Sequence, residues 1–164
     1  MTPFTVTPGS PPTFTPGTPF TCGTNPLGIR ISHVGSFAVV ATYGENGARV
    51  ISLPSKSVSA KITCGTQPYD VAITPDMTQA FVANYGTNDG TNGVTTIALP
   101  SNVPGSNITV GAHPSGIGIS PDGAVILAGG SANPNRGIVP INAATLVPGT
   151  SLDVGNGTTG IVIG

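Results

Sequence analysis

The chain has 164 residues, of which only 7% are charged, and a formal net charge of −1. That balance excludes a global field able to draw nucleic acid or anionic lipid, and no apolar run reaches the 18 or so residues that a membrane-crossing helix needs. Glycine (24) and proline (17) make up about a quarter of the chain, but the frequent Val, Ile and Thr in short recurring clusters exclude disorder and favour strands joined by tight turns.

The N-terminus, "MTPFTVTPGS", has neither a basic n-region nor an apolar h-region, so no signal peptide is expected there. Residues 6–23 read first as a Pro-rich linker. Laid over residues 138–155, they match without a gap at Pro8/Pro140, Thr13/Thr145, Pro16/Pro148, Gly17/Gly149, Thr18/Thr150 and Gly23/Gly155. The match predicts that residues 1–22 are the third and fourth strands of a repeat unit, with the linker as the alternative.

From Gly23 onward the chain repeats. The anchoring glycines are Gly23, Gly65, Gly111 and Gly155, at intervals of 42, 46 and 44 residues. A period in this range signals a propeller or a solenoid. Each unit opens with a short apolar strand after an x-Pro turn: "GIRI" (28–31), "DVAI" (70–73), "GIGI" (116–119) and "GIVI" (160–163). A tight turn follows ("SHVG", "TPDM", "SPDG"), then a second strand ("SFAVVATY", "QAFVANY", "AVILAGG"). A variable loop leads to the third strand ("ARVISLP", "GVTTIALP", "GIVPINA"), and "VSAKITC", "NITV" and "TSLDV" supply the fourth. Segments of 4–8 residues bounded by turn residues are the strand signature, and no long window keeps a helical period free of Gly or Pro. The small first-strand residues Gly28, Ala72, Gly116, Gly118 and Gly160 suit close backbone approach at a crowded axis.

Cys22 and Cys64 precede the repeat glycine in successive units. They have no metal-ligand spacing, and equivalent outer strands stand too far apart for a disulfide. Two free thiols are expected.

The pattern G-x-x-P-x-x-[VI]-x-[IV]-[ST]-P-D-x-x-x-[AV]-[FI]-[VL]-A at residues 65–83, and the same pattern one residue shorter after Pro-Asp at 111–128, resembles the YVTN-type β-propeller repeat, and "AFVANYG" (80–86) is similar to that family's Tyr-Val-Ala-Asn core. The first unit has His33-Val34 in place of Pro-Asp, the third loses the aromatic residue, and the fourth has Thr158 for Pro. The resemblance implies an all-β propeller of four-stranded antiparallel blades. Complete blades are then expected at 23–64, 65–110 and 111–154, with partial blades at 1–22 and 155–164. Such a chain is a piece of a larger propeller, a ring closed by a composite blade, or one that self-associates through open blade edges. The resemblance also implies a secreted or cell-surface setting and, more distantly, likeness to lactonases.

In that family the loops entering the first strand and those joining the second to the third share the face that usually carries function. Here they hold Asn25, Gln67 and His113, then "GENGA" (44–48), "GTNDGTNG" (86–93) with Asn88 and Asp89, and "GSANPNRG" (130–137) with Asn133. Variable loops on a rigid scaffold are where binding tends to reside, although Asn also simply tolerates left-handed turns. His113 could act as a base or ligand but has no partner marked in the sequence; His33, in an opposite-face turn, is weaker. Asp70 begins a first strand where Gly28 and Gly116 stand in the sister units, so its carboxylate either meets an axial ligand or bonds local amides. Asp76 and Asp122 occupy equivalent turns and are expected to cap their own backbone. Asp89 among amides falls short of a calcium loop, and no nucleophile elbow, phosphate loop or dinucleotide fingerprint occurs. Glu45 is the sole glutamate, so a two-carboxylate glycosidase centre would need aspartates.

The sequence therefore predicts a non-enzymatic scaffold that binds protein or glycan through its Asn-rich loops, with no catalytic residue, no metal and no cofactor. Nucleic acid and membrane insertion are not expected. The alternatives are a lactonase-like hydrolase with a metal in the central channel, and a truncated propeller with no function of its own.

Overall fold

The computed structural model describes residues 1–9, 11, 13–86, 92–111, 113–130, 137–155 and 160–161. Thirteen strands form four antiparallel sheets, and the one helical element among the described residues is a 3₁₀ turn at Tyr43–Glu45. Strands β1 (Phe4–Thr7) and β2 (Thr13–Pro16) make a hairpin. The second sheet runs in the order β3 (Pro26–Ile31), β4 (Phe37–Thr42), β5 (Gly47–Ser52), β6 (Ile62–Thr63). The third holds β7 (Pro68–Ile73), β8 (Gln79–Asn84), β9 (Gly93–Ala98) and β10 (Val103–Ile108). In the fourth, β11 (Pro114–Ile119), β12 (Val125–Gly130) and β13 (Gly137–Asn142) pair in order, and bridges Ile138↔Leu152 and Ile141↔Pro148 extend it past β13. The fold is all-β and propeller-like.

Up-and-down order within each sheet follows from the turns. After each first strand a Ser or Thr caps the bend: the Ser32, Thr74 and Ser120 hydroxyls accept from the Phe37, Gln79 and Val125 amides at 3.1, 3.0 and 2.9 Å. The fourth turn position is left-handed in all three, at Gly35 (φ 71°), Met77 (φ 60°) and Gly123 (φ 74°). The first turn, which lacks Pro-Asp, thus closes the same way. Asp76 Oδ1 accepts from Thr78 N at 3.1 Å, and Asp122 Oδ1 from Ala124 N at 3.0 Å. These bonds, with those from the Thr74 and Thr78 hydroxyls to Asp76 and from Ser120 to Asp122, hold both carboxyls below the usual carboxylate range.

Strand limits differ from the sequence pattern in two places. Each first strand begins two residues earlier, at its proline, and a bulge follows before regular pairing resumes at Ile29, Asp70 and Gly116. The fourth strand of the third sheet is Val103–Ile108 rather than 107–110. Its Pro104-Gly105 reads locally as a turn, but at the sheet edge a proline forfeits no ladder bond, and a register shift between Pro104 and Asn107 absorbs the irregularity. The hairpin has the antiparallel kind expected of residues 1–22 but another register: Phe20 N donates to Met1 O at 2.9 Å, whereas the match to residues 138–155 would set Phe20 opposite Val6.

Alternating side chains fill the seams between sheets. Val39, Ala41 and Ala48 meet Val71, Ala80, Val82 and Ile97 across one seam. Phe81, Ala83 and Val94 meet Ile117, Ile126 and Ile141 across the next. On the far side of the second sheet, Cys22 and Phe20 cover Val40 and Ile51. First strands lie side by side, β3 against β7 and β7 against β11. A Cβ on Gly28 would stand 2.6 Å from Asp70 Cα and Tyr69 O, and one on Gly118 2.8 Å from Ile161 Cγ2. The close approach expected of the small first-strand residues is present at both. Gly160 differs, with nothing among the described residues within 4 Å of its added Cβ.

Candidate functional site

The end of the inner strands where each begins is the face on which the sequence placed its binding residues. Asn25, Gln67 and His113 sit at one repeat position, just before the first-strand proline. All three are left-handed, with φ of 46°, 55° and 60°. Each bend is tied to the second strand of its own sheet where the pairing is described: Tyr43 N donates to Asn25 O at 3.1 Å, and Tyr85 N to Gln67 O at 2.9 Å. Neighbouring sheets are linked at the same place. Gln67 N donates to Asn46 Oδ1 at 2.9 Å, and His113 Nδ1 lies 2.9 Å from Tyr85 O. The position thus has a backbone role common to the repeats. Asn88, Asp89 and Asn133 lie outside the described residues.

A carbonyl oxygen only accepts, so His113 Nδ1 is the donor of this bond, and in the neutral ring Nε2 is left as the acceptor. The imidazole lies 4.5 Å, centre to centre, from the Tyr85 ring at a tilt of 33°, and Tyr85 lies 5.9 Å from Tyr69 at 35°. Three rings from three stretches of chain therefore form one row across the seam between the third and fourth sheets. Each is half-buried. The sequence reading missed Tyr69 and Tyr85. Tyr69 was detectable as a departure within its repeat column, where the sister residues are Leu27 and Ser115.

Asp70 is the carboxylate that the sequence set near the axis, and it is engaged with its surroundings. Oδ1 accepts from the adjacent Val71 N at 2.8 Å, and Oδ2 from Ile117 N of β11 at 3.2 Å. Arg30 of β3 approaches Oδ2 to 3.7 Å. One side chain on β7 thereby contacts both neighbouring inner strands. Around the axis, a cavity of about 190 Å³ is walled by Arg30, Ile31, Ala72, Ile73, Gly118, Ile119 and Ile161; Arg30 is its sole ionisable wall residue among the described residues. His33 is remote from His113, at the turn end of the inner strands beside Thr74, Pro75 and Pro121.

Glu45 forms a fork with Arg49: Nε to Oε1 at 2.7 Å and Nη2 to Oε2 at 3.1 Å. The guanidinium holds the Glu45 carboxyl below its ordinary range. Arg49 Nη1 also donates to Ser59 O at 3.1 Å, pinning the outer edge of the second sheet. Cys22 and Cys64 are both free thiols. Burial pushes the Cys64 thiol up to about 12. Among the described residues no group of three His, Cys, Asp or Glu side chains is arranged to hold a metal ion, and no helix is long and apolar enough to cross a membrane.

No family model matches the chain, and no curated protein matches it in sequence. Similar solved structures exist. Hydrazine synthase from Kuenenia stuttgartiensis superposes with a TM-score of 0.76 at 23% identity, covering 83% of this chain and 38% of that one. A protein of unknown function from Desulfotomaculum acetoxidans gives 0.63 at 18% identity, covering 85% and 44%. A protein from Bacteroides uniformis assigned provisionally as a 6-phosphogluconolactonase gives 0.69 at 19% identity, covering 99% and 48%. The chain spans less than half the length of each of these structures. At such identities the likeness bears on the fold alone, and it is to propeller-like proteins that this chain is similar.

Proposed function

We propose that the protein is a non-enzymatic scaffold of YVTN-like propeller blades that binds protein or glycan on the face carrying Asn25, Gln67 and His113. In this reading each four-stranded unit is one blade, at 23–64, 65–110 and 111–154, with partial blades at 1–22 and 155–164. The observation that carries it is the engagement of Asp70: a carboxylate beside the axis, where a catalytic group would stand, is turned to the Val71 and Ile117 amides and to Arg30. Glu45 is likewise held by Arg49. Acid and base groups fixed in this way stabilise the fold and are poorly placed to exchange protons with a substrate.

A second reading is a lactonase-like hydrolase with a metal in the central channel. It draws on the likeness to the Bacteroides uniformis protein and on the axial cavity that Arg30 lines. Elemental analysis of the purified protein, run beside a 6-phosphogluconolactone hydrolysis assay, separates the two. The scaffold reading expects substoichiometric metal and no turnover above the uncatalysed rate. One tightly held divalent ion per chain together with turnover would replace it by the hydrolase.

A further inference from the structure

In a repeat protein, what the fold requires recurs in every unit, and what stands in one unit alone is free to serve something else. The Tyr69–Tyr85–His113 row is such a departure. The corresponding residues at the preceding seam are Leu27, Tyr43 and Gln67, and Tyr69 and Tyr85 give way to Ser115 and Ser131 in the next unit. The shared backbone geometry, a left-handed bend and a bulge after the proline, is met at those sites without the aromatic set. Tyr69 is itself the residue passed over by the bulge between the Pro68↔Asn84 and Asp70↔Ala83 pairs. Bulges re-aim side chains and concentrate beside functional sites.

The geometry points to this row as a saccharide-binding subsite, one that takes a neutral pyranose ring. This rests on the binding-module reading above and narrows it to one surface and one ligand class. Half-buried rings give a sugar the two things it needs, an apolar surface for its C–H face and a polar edge for its hydroxyls. His113 supplies the polar edge in a fixed orientation. Its Nδ1–H is held by the Tyr85 carbonyl, so in the neutral ring Nε2 is the acceptor offered to a hydroxyl donor. None of the three side chains carries a fixed charge, so the row has no counter-ion for a uronate or a sugar phosphate.

The sister units supply the substitutions. His113→Asn introduces the residue found at position 25, Tyr69→Leu the residue at 27, and Tyr85→Ser the residue at 131. Tyr43→Phe lies outside the row and is the control. The chain has no tryptophan and three tyrosines, two of them in the row, so tyrosine fluorescence reports on binding directly. The protein is titrated with neutral hexasaccharides of glucose, xylose and mannose and with hexagalacturonate, and thermal melts of each variant establish folding. The expected result is saturable binding of at least one neutral sugar, a weakening of about tenfold in His113→Asn and Tyr85→Ser, and no change in Tyr43→Phe. No binding of any neutral sugar at concentrations up to about 1 mM, or binding unaffected by the row variants, overturns the inference. Preference for hexagalacturonate overturns its ligand class. Failure of the sugar titration leaves the scaffold reading standing, because a protein ligand is still open to it, and the metal and turnover assay tests that reading separately.

Discussion

Asp70 Oδ2 accepts a hydrogen bond from Ile117 N, 47 residues away, at 3.2 Å, joining the inner strands of two successive sheets. The same carboxylate meets Arg30 on the other side. Asp70→Ala removes the acceptor and leaves the Ile117 amide without its side-chain partner. The expected loss is about 1–3 kcal/mol of stability, read from urea or guanidinium unfolding. Asp70→Asn keeps an oxygen at the site and should cost less. Equal stability of Asp70→Ala and wild type would show that the contact is not made in solution.

Gly28 and Gly160 occupy equivalent repeat positions in the sequence and should respond differently to alanine. A methyl on Gly28 enters the space of Asp70 Cα and Tyr69 O, each 2.6 Å from it, and both obstacles are backbone. Gly28→Ala should therefore destabilise by about 1–3 kcal/mol through displaced strands. Gly160→Ala meets nothing within 4 Å among the described residues and should leave the melting temperature unchanged. Calorimetry on the two variants decides.

The Glu45–Arg49 fork makes stability depend on acid. The folded-state carboxyl titrates below its ordinary value because Arg49 bonds its charged form. A lowered pKa means that the stabilisation is complete above the unfolded-state value, about 4.3, and is lost as pH falls through the folded value. Wild type should thus lose more stability than Glu45→Gln when the pH is taken from 6 towards about 3. Parallel curves for the two proteins would contradict the assignment.

Much of this architecture was legible in the spacing of Gly, Pro and β-branched residues, because the forces that set strands and turns are local. Ser32, Thr74 and Ser120 cap the same bend in three units, so one pattern gives three turns. The fourth strands were less legible. Val103–Ile108 contains Pro104 and Gly105, which argue locally for a turn, and only edge position in a sheet makes them tolerable. The site was legible in part for a similar reason. His113 stood out as a rare titratable residue, but its partner, the Tyr85 carbonyl, is 28 residues away and carries no sequence mark. The sequence set Asp70 at the start of a first strand, while its bond to the Ile117 amide needed the position of β11.

The half-buried Cys64 thiol should resist modification. With its pKa pushed up to about 12 by burial, almost none of it is thiolate at pH 8, and thiolate is the reactive form. Ellman's reagent should register no rapid reaction from native protein and two thiols per chain after unfolding, since Cys22 is buried. Immediate release of one equivalent from folded protein would place Cys64 at the surface.

The central claim is that β3, β7 and β11 stand side by side as the inner strands of successive sheets. Proton–proton Overhauser contacts between Gly28 and Asp70 Hα test it most directly, because a Cβ on Gly28 would touch the Asp70 Cα. The radial arrangement predicts a strong cross-peak between these two Hα positions, with Ile117 HN close to the β7 backbone. Assigned spectra that lack the Gly28–Asp70 contact and instead set these strands in different layers would contradict it.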